Sequence, residues 1–375
     1  MPNRHSPESL TPGQAPLAPR QHGGPDALGV PRFDFSTNSN ACGPCPIALA
    51  AVQNADATRY PDASYTDLKQ QLADFHAVAV ERVVLAGSAS EFIFRVTAWV
   101  AQRSRGQGKV HLPPHSYGDY AQAAQAWGLD FSDEADGDAM RNPAHLVWAC
   151  EPSSPLGQAH ADWPQWLMQS GRELHQTLVL DCAYAPLRLS GQPSLSAAQR
   201  DRGWQLYSPN KSLGLTGVRA AYALAPQGSE VAVLELERLG ASWPVGAHGA
   251  AMLRAWVQPD VQGWLTQSLQ TLTDWKSHQI HGLQRLAWTC LPSNANFFCA
   301  RPPGDDLAAE LQRLRTHDIK LRDAASFGLP GHVRLGVLPP QAQGALLSAL
   351  GMPKQLTFCQ PRSLDLPTNQ KLSRS

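Results

Sequence analysis

A chain of 375 residues exceeds the size at which a single hydrophobic core stops growing, so one large and one small packed domain are expected. Lys plus Arg and Asp plus Glu are equal at 31 each, which leaves no global field to draw in nucleic acid or an anionic membrane; small polar molecules are the expected partners. Residues 1–21 carry five prolines and no apolar run that could form a signal-peptide core or a spanning helix. A cytoplasmic chain is therefore expected, with a disordered arm over 1–20 and a polar, Pro-bearing disordered tail over 361–375.

Residues 64–76 place Leu68, Leu72 and Phe75 on one helical face, and Ser64 or Asp62 can cap its first turn. A strand is predicted at 83–85, then the small-residue turn Gly87-Ser88-Ala89-Ser90-Glu91, then a helix in which Phe92, Ile93, Val96, Trp99 and Val100 recur. Short apolar runs at 146–150, 177–182, 205–208 and 220–225 alternate with longer mixed segments. This alternation predicts an α/β fold with a mostly parallel sheet covered on both faces, its ligands bound just past the strand ends. Residues 228–290 are helical in composition, 292–298 read as an edge or entry strand, and 332–337 read as another; with residues 22–58 these would build a smaller domain.

Seven cysteines are scattered, and the one tight pair, Cys42-Gly43-Pro44-Cys45, has thioredoxin spacing. Thioredoxin chemistry needs the first Cys at a helix N-terminus after a strand. This pair instead sits in the loop-like run from Asn38, and no second Cys pair or close His pair completes a metal site, so neither redox chemistry nor a metal is expected.

The most informative run is Tyr207-Ser208-Pro209-Asn210-Lys211-Ser212-Leu213-Gly214-Leu215-Thr216-Gly217-Val218-Arg219. A Ser three residues before the Lys, a small-residue turn after it and an Arg eight residues on suit a lysine that carries a phosphorylated aldehyde. Asp181 ends an apolar strand, with Tyr184 three residues on. A buried carboxylate there is what a protonated pyridine nitrogen requires.

These segments, in this order, resemble the fold-type I pyridoxal-phosphate enzymes of the class I/II aminotransferase superfamily. The branch is the one holding histidinol-phosphate aminotransferase and the threonine-phosphate decarboxylase of cobalamin synthesis, and the resemblance covers roughly residues 20–340. It implies an aminotransferase-like large domain at 59–228 that binds the cofactor. A smaller α+β domain would be built from both chain ends, 21–58 and 229–360, the latter opening on a long interdomain helix to which 234–239 belong.

The resemblance implies pyridoxal 5'-phosphate as cofactor and a role for each matching residue. Lys211 holds the cofactor and moves the proton at the substrate's alpha carbon, Asp181 pairs with the ring nitrogen, and Tyr184 bonds the phenolic oxygen. Tyr117 stacks on the ring. The phosphate is cradled by the helix N-terminus at Ala89 and Ser90, with Ser208 and Arg219 completing the set. Tyr60 corresponds to a residue that reaches the neighbouring subunit's phosphate, which implies a homodimer with shared active sites. Arg334 clamps the substrate carboxylate, Asn38 and Arg322 face the substrate, and His22, Gly23 and Gly24 suit a substrate phosphate.

Two positions depart from the family pattern. Ser154 stands where the family has the Asn that bonds the phenolic oxygen, and Leu338 stands where the decarboxylase tends to carry a second Arg four residues after Arg334. The opening His22-Gly23-Gly24, followed by Asp34-Phe35-Ser36-Thr37-Asn38, and the Ser242-Trp243-Pro244-Val245 segment are similar to the decarboxylase. The expected activity is decarboxylation of L-threonine O-3-phosphate to (R)-1-aminopropan-2-yl phosphate. The alternatives are a histidinol-phosphate-type aminotransferase and a non-catalytic pyridoxal-phosphate-binding protein.

Overall fold

The computed structural model describes residues 22–132, 144–160, 163, 167 and 176–352. The arm and tail expected at 1–20 and 361–375 lie outside these residues. A first short strand, β1 (Phe33–Asp34), precedes seven that build one sheet: β2 (Val83–Ala86), β3 (Lys109–His111), β4 (Asp130–Ser132), β5 (Leu146–Cys150), β6 (Thr177–Asp181), β7 (Trp204–Tyr207) and β8 (Ala221–Leu224). Five short strands follow: β9 (Thr289–Cys290), β10 (Phe297–Arg301), β11 (Ile319–Lys320), β12 (Arg322–Asp323) and β13 (Val333–Gly336).

The large sheet has the order β2-β8-β7-β6-β5-β3-β4. All its strands point one way except β8, which runs antiparallel to both β2 and β7. Its two faces are equally apolar because successive residues alternate between two buried cores. Val83 and Leu85 pack with Leu68 and Leu72 of the helix Thr66–His76, while Val84 and Ala86 pack with Phe92, Ile93 and Val96 of the helix Ala89–Arg103. The consequence for function is that β2, β3, β5, β6 and β7 end at one edge, where the segments that follow them converge.

A second sheet, antiparallel and ordered β12-β13-β10-β9, rests on its own core of Phe298, Leu335, Leu346 and neighbours. Here β1 meets β11 in parallel, Phe33 opposite Ile319, and Phe35 enters the same core, so both ends of the described chain share one hydrophobic cluster.

Two local expectations are corrected. The segment 292–298 is not an edge strand: the strand begins at Phe297 and lies between β13 and β9, paired on both sides. The residues before it are held as a loop by Lys276, whose Nζ donates to the carbonyls of Ser293 at 2.6 Å and Ala295 at 2.7 Å. The long connecting helix is not the one containing 234–239. That run belongs to the 10-residue helix Glu230–Leu239, where Leu234 is 54% exposed. The connector is Pro259–Gln284, 26 residues long, which buries Val261, Leu265, Ser268, Leu272, Lys276, Gln279 and Leu283 at spacings of three and four, a single continuous stripe. Of the two cap candidates for the helix Thr66–His76, Asp62 serves, accepting from the Ser64 and Thr66 amides.

His76 ends that helix against the rings of Phe75, Tyr207 and Tyr222, with its Nε2 2.8 Å from the Tyr222 hydroxyl. Burial, aided by the charge of Arg200, lowers its pKa from 6.5 to about 4. Since the unfolded chain then binds the extra proton first, stability is full above pH 6.5 and falls as pH drops toward 4. Chemical denaturation across that window should show this loss, and a His76→Gln variant should show a shallower acid limb.

Candidate active site

A cavity of about 530 Å³ opens where the ends of β2, β5, β6 and β7 meet the loop after β1 and the paired strands β12 and β13. At its floor Asp181, the last residue of β6, is 5% exposed. Its Oδ1 accepts from the Ala183 amide at 2.9 Å and its Oδ2 from the Tyr120 hydroxyl at 2.7 Å. Burial nevertheless raises its pKa, outweighing the lowering by Tyr120, Ala183 and the Lys211 ammonium. The carboxylate sits where a cationic partner would be strongly favoured.

Lys211 lines the same cavity, its Nζ 5.5 Å from the centre of the Tyr184 ring. Its loop is fixed locally: Asn210 Oδ1 accepts from the Lys211 amide at 3.0 Å, and the amides of Leu213 and Leu215 donate to the carbonyls of Pro209 and Asn210. The Lys211 carbonyl accepts from the Asn40 amide at 2.9 Å, which stitches the loop to the run around Cys42. Gly214 has φ +69°, and a Cβ there would lie 2.6 Å from the Gly43 carbonyl oxygen, so the close approach of these two loops demands glycine. This packing explains Cys42-Gly43-Pro44-Cys45: both thiols are free, Cys45 is fully buried, and burial pushes the Cys42 thiol up to about 11. Such a thiol is a poor redox nucleophile.

Tyr184 packs its ring edge-on against Phe297 and accepts from Asn38 Nδ2 at 3.3 Å through its hydroxyl. Tyr117 lies over the opposite side of the cavity, its hydroxyl 3.3 Å from Ser90 Oγ and its ring 6.2 Å from that of His22. The helix Ala89–Arg103 points its N-terminus inward: Ser88 Oγ accepts from the Glu91 amide and Glu91 from the Gly87 amide, leaving the first-turn amides of Ala89 and Ser90 toward the cavity. Ser208 Oγ is buried with no hydrogen-bond partner, and Arg219 reaches the rim.

On the other wall Arg322 and Arg334 stand directly opposite each other in the β12–β13 ladder, both buried. Arg334 donates to Ser154 Oγ and to the Ser36 carbonyl, each at 3.1 Å, and its guanidinium lies over the Phe297 and Phe327 rings. Burial, then the neighbouring Arg334 charge, lowers the pKa of Arg322. Lys211, Arg219, Arg322 and Arg334 outnumber the carboxylates Asp119 and Asp181 on the lining, so the cavity as a whole favours a ligand with more than one negative charge.

Fourteen of the residues singled out from sequence line this one cavity: His22, Gly23, Asn38, Ala89, Ser90, Tyr117, Ser154, Asp181, Tyr184, Ser208, Lys211, Arg219, Arg322 and Arg334. Gly24 does not. Its amide donates to Ser36 Oγ and its carbonyl accepts from Lys320 Nζ, so its backbone groups are already used. Tyr60 is also elsewhere, 77% exposed and stacked on Trp243 at 4.5 Å. Tyr120, to which the sequence assigned no role, holds the central carboxylate. The only available hint was its place three residues after Tyr117, in the first turn of the same helix.

Residues 31–350 match the family Aminotransferase class I and II. The chain belongs to that family. It is 27% identical over 332 residues to a histidinol-phosphate aminotransferase of Jannaschia sp. (strain CCS1), spanning 84% of this chain and 89% of that protein. It is also similar in fold to the histidinol-phosphate aminotransferase of Sinorhizobium meliloti, solved in complex with pyridoxal-5'-phosphate, at TM-score 0.70 and 21% identity over 84% of this chain and 88% of that one. The L-threonine-O-3-phosphate decarboxylase of Porphyromonas gingivalis gives the same TM-score of 0.70 and 21% identity, over 84% of this chain and 97% of that one.

Pyridoxal phosphate is the cofactor of this family, and the residues present fit it. Asp181 is a buried acid held by Tyr120 and the Ala183 amide, Lys211 is an amine on the same cavity lining, and Ser208 Oγ with the Ala89–Ser90 helix terminus leaves polar groups open to a phosphate. When bound, the cofactor supplies the electron sink that weakens bonds at the substrate's alpha carbon. Hydride reduction of the cofactor-loaded protein should fix the cofactor covalently on the wild type and leave a Lys211→Ala variant unlabelled by mass spectrometry; an adduct on the variant would transfer the role to another lysine.

Proposed function

We propose that this chain decarboxylates L-threonine O-3-phosphate to (R)-1-aminopropan-2-yl phosphate, with pyridoxal phosphate as cofactor. The observation that carries this reading is the presence of two separate anion-binding regions on one cavity. One is the Arg322–Arg334 pair; the other is formed by His22 and Gly23, which are brought beside Tyr117 from the start of the described chain. A substrate bearing both a carboxylate and a phosphate uses both at once; histidinol phosphate has no carboxylate, and in an aminotransferase the arginine pair would serve the dicarboxylate co-substrate instead.

His22 and Gly23 owe their position to a charged latch. Asp26 accepts from Arg315 through both oxygens, at 3.0 and 3.2 Å, and from Lys320 at 3.0 Å. These partners, Arg315 first, hold its carboxyl far below the usual carboxylate range. Gly23 itself passes so close to Ser36 that a Cβ would lie 2.1 Å from the Ser36 carbonyl oxygen.

In this reading Arg334 orients the substrate carboxylate, the buried walls exclude water, and Lys211 Nζ delivers a proton to the alpha carbon as carbon dioxide leaves. No external acceptor is consumed. We further infer a homodimer in which the exposed Tyr60 serves the neighbouring subunit's cofactor phosphate. Residues 59–228 would form the large domain and 21–58 with 229–360 the small one.

The named sequence relatives favour a second reading, transamination of histidinol phosphate. The two separate on incubating the cofactor-loaded protein with L-threonine O-3-phosphate and no keto acid. Carbon dioxide released in step with the amino alcohol phosphate is the expected result; turnover only of histidinol phosphate, and only with 2-oxoglutarate, would establish the aminotransferase. An Asp26→Ala variant is expected to raise the KM for the phosphorylated substrate while leaving the absorbance of the bound cofactor unchanged, measured by steady-state kinetics and spectroscopy on one preparation.

A further inference from the structure

Two protein donors hold the Asp181 carboxylate, and they differ in kind. The Ala183 amide is supplied by the turn that follows β6, so any residue at that position would provide it. The Tyr120 hydroxyl comes from a helix that begins near the end of β3, 61 residues earlier in the chain. Its ring is 1% exposed, stacked flat on Trp148 of β5 with centroids 4.4 Å apart and planes 8° from parallel, and it meets the Tyr117 ring edge-on at 5.9 Å. Because β5 is paired with β6, Cys150 opposite Asp181, the surface that clamps Tyr120 is part of the framework that carries the acid.

A tyrosine hydroxyl has one proton to give. Burial first, and the Asp181 charge second, push the Tyr120 pKa well up, so the hydroxyl stays protonated and its proton faces Oδ2. With Oδ1 occupied by Ala183, the carboxylate cannot turn without losing a hydrogen bond in a site where burial already disfavours its charge.

We propose that Tyr120 is a positioning residue for the cofactor: it holds Asp181 in one orientation and in its ionised form, and through that carboxylate sets the affinity and absorbance of the bound pyridoxal phosphate. This rests on the cofactor reading above. The role is distinct from packing because it resides in a single oxygen atom, which Tyr120→Phe removes while keeping the ring on Trp148.

The test uses the wild type, Tyr120→Phe, Asp181→Asn and the double variant, each stripped of cofactor and titrated with pyridoxal phosphate alone. The expected result is a dissociation constant raised about 10- to 100-fold in Tyr120→Phe, the range of a lost hydrogen bond to a charged group. The midpoint of the pH titration of the bound cofactor's absorbance should shift as well. In the Asp181→Asn background the same substitution should add little, since its route of action is gone. An unchanged dissociation constant and pH midpoint would overturn the proposal. So would an equal effect with and without Asp181, or a fall in the melting temperature of the cofactor-free protein large enough to account for the weaker binding. A wild-type protein that takes up no pyridoxal phosphate would defeat the cofactor reading itself, and this inference with it; normal uptake with an indifferent Tyr120→Phe would defeat this inference alone.

Discussion

Burying a carboxylate at the end of a central strand is the constraint around which this molecule is organised. Asp181 has been removed from water, and desolvation outweighs the Ala183 amide, the Tyr120 hydroxyl and the Lys211 ammonium that act against it. Burial disfavours the charge on this acid, and a cationic group bound next to it would offset that cost. The parallel sheet makes the arrangement possible, because adjacent parallel strands end side by side and β5, β6 and β7 bring Cys150, Asp181 and Ser208 to one edge.

The rest of the cavity is arranged around that acid by charge. Lys211 stands beside it, Arg219 lies at the rim, and the Arg322–Arg334 pair forms the far wall. Burial first, and the charge of the facing Arg334 second, lower the pKa of Arg322, and an anionic group between the two guanidiniums would favour both charges. The aromatic rings of Phe297 and Phe327 beneath them fix both side chains and accept their charge on ring faces.

The two departures from the family pattern take on physical meaning in this setting. Ser154 turns its hydroxyl toward Arg334 at 3.1 Å, so it acts on the residue expected to hold the substrate carboxylate. Leu338 does not leave Arg334 alone, because a second arginine arrives from the adjacent strand instead of from four residues along the same one. Antiparallel register brings together residues that sequence separation cannot, and Arg322 beside Arg334 is such a case.

Periodicity was enough to read the α/β class and the helix Ala89–Arg103 with its small-residue turn, while the ordered resemblance to a known family marked the residues that line the cavity. The boundaries that failed were those where composition is ambiguous. In 234–239 the leucines are spaced for a helix, yet Leu234 and Leu239 stay exposed while Leu236 is buried, and the polar residues of Pro259–Gln284 conceal a buried stripe. Sequence by itself determined which chemical groups exist: an amine at 211, an acid at 181, and arginines at 219, 322 and 334. Only the tertiary structure decided that Gly24 has spent its backbone groups, that Tyr120 holds the acid, and that Arg322 faces Arg334. Each of these is a contact between segments distant in the chain, and its geometry depends on how the strands pair.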